Sequence, residues 1–266
     1  MLRRIEIPLT FPESIRVHSS MGSVFHGALM EVVDPHSAAL YHHMTLRPYS
    51  QSVYWDREQK RAVWRIGTLT DEAYTRLVEP LQKRDTLWLT QKQCEVRLQP
   101  MEMKQAISFE ELSKEAVQAE LAPIGAEWQF MNVVSFKQNG RYVILPDMRL
   151  IYQSLLQRWN TFSDSVKVED DGLIDQLTSH CRLTKYQLQS RVFSVNGSTI
   201  YGCHGWQRIG FFGYDMLKRL QGMLTAFAPF AGVGVKTALG MGAVNTEILK
   251  ETVLSLIHIS EPTRPE

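Results

Sequence analysis

The chain of 266 residues has only three cysteines and no long apolar run. Cys94, Cys181 and Cys203 match neither a disulfide framework nor a CxxC zinc site, which predicts reduced thiols. No window holds the roughly 18 consecutive apolar residues that a membrane-spanning helix needs. The first residues alternate charged and apolar side chains, whereas a signal peptide has an apolar core. We therefore expect a cytoplasmic protein without membrane contact.

The composition is that of an ordinary globular protein, with 44% hydrophobic and 21% charged residues and a mean hydropathy of −0.20. This excludes a disordered or collagen-like chain, and the length permits one large or two small domains. The net charge of +1 conceals a gradient, because residues 182–250 hold eight basic and only two acidic residues. This excess can attract a polyanion, although a solvated charged face explains it equally well.

The first half of the chain predicts the order strand, helix, strand, strand, helix, strand. The segments are residues 3–9, 22–33, 52–55, 62–69, 71–82 and 86–90, with a short helix at 37–43 and a strand at 94–98. This is the order of the split βαβ unit of ferredoxin-like domains, an antiparallel sheet with both helices on one face.

The second half repeats that order loosely. Asn139-Gly140 and Asn196-Gly197 are typical of tight hairpin turns. Helices are predicted at 147–159 and 213–227, the second ended by Pro229, before a strand at 243–249. Residues 101–122 predict a linker that contains a capped helix beginning at Ser108. The fold class predicted is α+β, with two tandem ferredoxin-like (RRM-like) domains and antiparallel sheets, at residues 1–115 and 120–253.

The last residues, 254–266, read like an in-frame translation of a sequencing adapter. The alternative is a short native apolar tail that ends at a proline. We leave this segment out of the fold prediction, and His258 is not a catalytic candidate.

A glycine-rich segment near the end has the pattern G-x-G, five residues, G-x-G. It is neither a P-loop nor a dinucleotide fingerprint, because it joins a helix to a strand. Its backbone could approach phosphate oxygens closely, and a tight structural turn is the other interpretation. Because it lies in the basic region, we predict RNA binding by Gly232, Gly234, Lys236, Gly240 and Gly242, together with Lys218 and Arg219.

Four of the eight histidines cluster at His26, His36, His42 and His43. They lack the cysteines or paired carboxylates of a zinc site, so we expect no metal and no cofactor. A histidine titrates near pH ~6.5, so one imidazole can accept a proton from a ribose 2′-OH while another donates one to the 5′-oxygen. A capping or surface role is the ordinary alternative for any one of them.

Several motifs together resemble the CRISPR repeat-RNA processing endoribonucleases of the RAMP superfamily. They are the glycine-rich pattern, Ile209-Gly210-Phe211-Phe212-Gly213, and Pro35-x-x-Ala38-x-x-Tyr41-His42 followed by Arg47-Pro48-Tyr49-x-x-Ser52. Residues 9–16, residues 22–30 and Leu145-Pro146-Asp147 look most like the type III members of that superfamily.

The resemblance implies metal-independent cleavage within CRISPR repeats that leaves a 5′-hydroxyl and a 2′,3′-cyclic phosphate. His42 matches the family's leucine-histidine position and becomes the expected proton-transfer residue, although Tyr41 replaces the leucine. His43 stands where an acidic residue is common, so either imidazole could face the phosphate. His26 is the expected catalytic partner, and Lys104 and Lys236 are candidates for stabilising the transition state.

The expected partner is precursor CRISPR RNA, with the product passed to a type III interference complex by transient contact. A homodimer is compatible with this hypothesis. The principal alternative is a non-catalytic RAMP subunit that binds guide RNA, because the superfamily shares the glycine-rich loop but not catalysis. A general single-stranded RNA-binding protein is a more distant alternative.

Overall fold

The computed structural model describes residues 1–18, 20–195 and 197–251. Asn196 of the second predicted turn and the adapter-like segment 254–266 lie outside these residues. Within them, no helix is both long and apolar enough to cross a membrane.

The first half forms one antiparallel sheet in the order β2-β3-β1-β5-β4, with β6 also paired to β1. Its strands are β1 (Leu2–Thr10), β2 (Tyr49–Asp56), β3 (Arg61–Thr68), β4 (Thr86–Leu89), β5 (Cys94–Leu98) and β6 (Glu102–Ile107). Its helices are α1 (Met21–Val32), α2 (Pro35–His43), α3 (Asp71–Leu77) and α4 (Glu79–Gln82).

The second half forms an antiparallel sheet in the order β10-β11-β7-β12. Its strands are β7 (Gly125–Val134), the short pair β8 (Phe136–Gln138) and β9 (Arg141–Val143), then β10 (Cys181–Val195), β11 (Ser198–Phe211) and β12 (Val244–Leu249). Its helices are α5 (Phe109–Gln118), α6 (Met148–Phe162), α7 (Leu173–Ser179) and α8 (Asp215–Ala231). In both halves the first strand lies centrally, beside the later strand of the long hairpin and a final strand, which confirms the predicted ferredoxin-like fold class.

Helix α1 packs its apolar face on the first sheet, where the Phe25 ring meets the Trp64 indole edge-on at 5.0 Å. Helix α2 follows directly, because Asp34 accepts a hydrogen bond from the Ser37 backbone N–H and Pro35 occupies the first turn. The buried Tyr41 anchors its far end against the Tyr49 ring at 5.3 Å. The two helices that carry the histidine cluster are therefore fixed by buried aromatic contacts.

Helix α5 begins at the predicted capping box, in which Ser108 and Glu111 exchange hydrogen bonds. Its Phe109 ring packs against the rings of Trp159 and Phe227 at 4.9 and 5.7 Å, inside the core of the second half. The helix that connects the two halves therefore shares the second core.

Two sequence-based expectations are wrong, and one helix was missed. Residues 102–107 form strand β6 on β1 rather than a linker. Helix α7 was not predicted at all. Pro229 lies inside α8 rather than ending it. Proline cannot donate to the carbonyl of Thr225, but the Thr246 hydroxyl donates to that oxygen at 2.9 Å and replaces the missing bond.

Candidate active site

Three of the four clustered histidines line one cavity of about 360 Å³. His26 comes from the middle of α1, and His42 and His43 form the last turn of α2. The remaining lining residues are Met30, Ala38, Ala39, Tyr41 and Arg47. The lining contains no carboxylate, so its ionisable side chains can carry only positive charge, apart from the Tyr41 phenol. His36 is exposed at the start of α2 and does not line the cavity.

The imidazole of His26 has a strongly lowered pKa. Burial, followed by the nearby positive charges of Arg47 and His42, lowers the pKa of His26 to about 4. Among the residues that the structure describes, its buried Nδ1 atom has no hydrogen-bond partner. His26 is therefore neutral near pH 7, and Nε2 is the ring nitrogen that a substrate could reach.

His42 and His43 are both exposed at the mouth of the cavity. Their rings meet edge-to-face, with centroids 5.6 Å apart. The structure thus brings the three predicted catalytic histidines together, with one imidazole largely buried and two at the surface.

Arg47 is a candidate functional residue that the site prediction missed. Its Nε donates to the Tyr41 carbonyl at 2.6 Å and its Nη2 to the His42 carbonyl at 3.5 Å, so the guanidinium holds the end of α2. No carboxylate lies within ion-pair distance of Arg47 among the residues described. The sequence signal for Arg47 was the dipeptide Arg47-Pro48 shortly after the histidine pair. This dipeptide is one of the motifs that carry the family resemblance, but no role was predicted for Arg47 itself.

The glycine-rich loop packs between the two halves, close to α1. All four of its predicted RNA-binding glycines have positive φ, as does Lys236 at 55°. A β-carbon on Gly240 would lie 2.4 Å from the Gly22 Cα atom, and one on Gly242 would lie 2.1 Å from the Val233 carbonyl oxygen. Close backbone packing therefore requires glycine at both positions.

Hydrogen bonds fix this loop to strand β7 and its extension. The Val235 N–H donates to the Ser135 carbonyl and the Gly242 N–H to the Val133 carbonyl, both at 2.9 Å. These contacts support the structural-turn interpretation of the glycines. Lys236 remains half-buried at the surface of the loop, where its side chain can still meet an anion.

The basic residues predicted to bind RNA differ in their surroundings. Arg219 donates through Nη1 to the carbonyls of Ala116, Val117 and Ala119, which caps the end of α5. Lys218 lies 3.6 Å from the Asp215 carboxylate, most of which is exposed. The contacts of Arg219 with α5 thus give it a structural role that does not require RNA.

Lys104 lies in a second, larger cleft of about 1120 Å³ between the two sheets. It pairs with Glu102 and lies 4.0 Å from Glu6. The residues that line this cleft and the histidine cavity do not overlap. Lys104 is therefore not part of the histidine site.

The described part of the chain contains no group of three or more His, Cys, Asp or Glu side chains placed to hold a metal ion. The chemistry that the histidine cavity can perform is proton transfer beside a positive charge.

A family model described as the CRISPR-associated endoribonuclease Cas6 matches residues 129–244. The chain is 29% identical over 247 residues to a CRISPR-associated endoribonuclease Cas6 of Mycobacterium tuberculosis, covering 92% of this chain and 76% of the relative. It is 28% identical over 232 residues to a Streptococcus thermophilus protein of the same description, covering 85% and 91% of the two chains.

Solved structures show the same fold. A Cas6 product complex superposes with a TM-score of 0.76 at 22% identity, covering 93% of this chain and all of the other. A Thermus thermophilus Cas6 superposes with a TM-score of 0.71 at 21% identity, covering 93% and 98%. The tandem arrangement of the two halves is therefore that of these proteins.

Proposed function

We propose that this chain is a CRISPR-associated endoribonuclease of the Cas6/RAMP type that cuts precursor CRISPR RNA within its repeats without a metal ion. The cut leaves a 5′-hydroxyl and a 2′,3′-cyclic phosphate, and the product supplies a type III interference complex. The observation that carries the proposal is the cavity that joins a neutral, half-buried His26 to two exposed histidines and Arg47.

The low pKa of His26 separates the roles of base and acid. A group with a pKa of about 4 carries no proton to donate near pH 7 but can accept one. We therefore assign His26 as the general base. The general acid then comes from the α2 pair, with His42 as the first candidate and His43 as the second.

The reaction follows from this assignment. His26 Nε2 takes the proton of the ribose 2′-hydroxyl while the 2′-oxygen attacks the adjacent phosphorus in line. The bond from phosphorus to the 5′-oxygen breaks, and His42 protonates the departing oxygen. The guanidinium of Arg47 stabilises the negative charge that grows on the phosphoryl oxygens.

RNA binding is supported by the surroundings of the cavity and by similar proteins. A similar Cas6 has been solved as a product complex and another as a substrate mimic complex. In this chain, Lys236 lies on the glycine-rich loop that packs against α1, and Lys218 lies on α8. Strand β10 adds Arg182, Lys185 and Arg191, all exposed and without an acidic residue on the same strand. These cations would contact the phosphate backbone of the repeat.

The test is cleavage of a CRISPR-repeat RNA in EDTA, compared with the same RNA carrying a 2′-deoxy substitution at the cut. We expect the first RNA to be cut and the second to stay intact. His42→Ala and His26→Ala should each lower the single-turnover rate about 10²-fold to 10⁴-fold while binding is retained. His36→Ala is the matched control, because His36 belongs to the same sequence cluster but lies outside the cavity.

Cleavage of the 2′-deoxy RNA, or loss of cleavage in EDTA alone, would contradict the proposed chemistry. Tight repeat binding without any cleavage would instead favour the non-catalytic guide-RNA subunit. Equal losses in His36→Ala and His42→Ala would remove the cavity as the site.

A further inference from the structure

Gln51 lies on β2, at the edge of the first sheet, and its side chain is almost fully buried. Its Nε2 donates to the Gly22 carbonyl at 2.7 Å and to the Ala238 carbonyl at 3.1 Å. The first acceptor belongs to helix α1, and the second belongs to the short 3₁₀ turn of the glycine-rich loop. One amide group therefore joins the catalytic helix to the predicted RNA-binding loop.

The orientation of this amide is fixed from the other side. The Trp64 indole N–H donates to Gln51 Oε1 at 2.9 Å. The same indole packs edge-on against Phe25, the residue before His26. Because Trp64 occupies the oxygen, both hydrogens of the Gln51 amide point to the two carbonyls.

The Gly22 carbonyl leads directly to His26. In an α-helix the N–H of residue i bonds to the carbonyl of residue i−4, so Gly22 is the helical acceptor for the His26 N–H. Gln51 thus bonds to the same carbonyl oxygen that positions the backbone of His26. Gln51 is thus the side chain that links the Ala238 carbonyl of the loop to the helical turn that holds His26.

The neighbouring residues of β2 do not make this connection. Ser50 donates to the Phe230 carbonyl at 2.8 Å, and Ser52 accepts from Asn132 at 2.9 Å. Both bonds cross between the two halves of the protein, but neither reaches α1 or Ala238. Of these three residues of β2, Gln51 is the one whose side chain bonds both to helix α1 and to the glycine-rich loop.

We infer that Gln51 is a positioning residue that couples the glycine-rich loop to the placement of His26. This inference rests on the proposed function, because it assigns His26 a role in cleavage. When RNA holds the loop, Gln51 keeps α1 in the register at which His26 can take the 2′-hydroxyl proton. A misplacement of about 1 Å can cost roughly 10²-fold in rate while contacts elsewhere on the substrate persist.

The experiment compares Gln51→Met with Ser50→Ala. Methionine keeps the length and packing of the side chain but leaves the carbonyls of Gly22 and Ala238 without its two donors. Ser50→Ala removes a buried bond between the halves that does not touch α1. Single-turnover rate and the Kd for uncleavable 2′-deoxy RNA are measured for both, with the thermal midpoint as a check on folding.

We expect Gln51→Met to slow cleavage about 10-fold to 100-fold with Kd changed less than about threefold, and Ser50→Ala to cleave within about twofold of the parent. A second readout does not require cleavage. In protein with labelled histidine, NMR titration should show the His26 pKa rising in Gln51→Met and unchanged in Ser50→Ala. Should Gln51→Met fail to fold, Trp64→Phe removes the donor that orients Gln51, together with part of the buried indole ring, and should act in the same direction.

Equal slowing by Gln51→Met and Ser50→Ala would overturn the inference, as would a His26 titration in Gln51→Met that matches the parent. A parent protein that binds repeat RNA but never cuts it rejects the proposed function instead. In that case the comparison of the His26 pKa in the parent and in Gln51→Met decides alone whether Gln51 positions His26.

Discussion

The backbones of Gly22 and Gly240 touch, so that a β-carbon added to Gly22 would lie only 2.5 Å from the Gly240 Cα atom. Gly22 lies in the first turn of α1, and Gly240 closes the 3₁₀ turn of the glycine-rich loop. The Asn132 amide donates to the Gly240 carbonyl at 2.7 Å and holds the loop in this position. Contact between two backbones therefore sets the distance between the catalytic helix and the loop.

Gly22→Ala should disrupt this contact, because the nearest atoms to the new methyl group are backbone atoms that cannot rotate away. We expect a loss of about 2 kcal/mol or more in the free energy of unfolding, and a cleavage rate that falls with it. Urea denaturation measures the first quantity and a single-turnover assay the second.

Gly27→Ala is the control on the same helix. Gly27 has no atom within 4 Å of an added β-carbon and has ordinary helical φ. Alanine there should stabilise the protein by about 0.5–1 kcal/mol through helix propensity. Similar losses of stability in both variants would show that α1 rejects alanine for reasons unrelated to the Gly240 contact.

Local signals in the sequence were sufficient for most elements of the fold. The capping box at Ser108 and Glu111 and the turn at Asn139-Gly140 act within a few residues, and both appear in the structure. Strand β6 was missed because only one of its six residues, Ile107, is buried, so its sequence lacks an apolar alternation. The continuation of α8 through Pro229 depends on Thr246, a residue 17 positions away, and no local pattern contains it.

The candidate site was also predictable in part from residues that lie close together in the sequence. The cluster of His26, His42 and His43 was visible because α1 and α2 are consecutive in the sequence. The difference between a half-buried His26 and an exposed His42 depends on packing, which sequence spacing does not reveal. The role of Arg219 was hidden because its partners are the carbonyls of α5, about 100 residues earlier.

Arg219 and Lys218 are adjacent in sequence, but the structure predicts that their removal changes stability to different extents. Arg219→Ala should lower the free energy of unfolding by about 1–3 kcal/mol, because three carbonyls at the end of α5 lose their donor. Lys218→Ala should have a smaller effect on stability, since Lys218 makes a single ion pair with an Asp215 carboxylate that is 72% exposed.

RNA binding gives the complementary measurement. If Lys218 contacts a phosphate, the slope of log Kd against log salt should fall by about one in Lys218→Ala. Arg219→Ala should retain the parent slope. A smaller salt slope in Arg219→Ala, with stability unchanged, would instead indicate that Arg219 contacts RNA, as the sequence predicted.

The pH dependence of cleavage should report on His26 and Arg47 together. His26 acts as a base only when it is neutral, so kcat/KM should fall with acid only as the pH approaches about 4. Burial is the largest cause of that low pKa, and the Arg47 charge is the second. Arg47→Gln removes a cation that opposes protonation, so the pKa of His26 should rise and the acid limb should move to higher pH.

Arg47→Lys is the matched variant, because it keeps the positive charge but loses the guanidinium bonds to the Tyr41 and His42 carbonyls. It should keep the acid limb near the parent position even if the rate falls. Arg47→Gln should therefore differ from Arg47→Lys in the position of the limb as well as in rate. A limb that stays in place in both variants would show that the Arg47 charge does not act on His26, and that burial alone keeps this imidazole neutral.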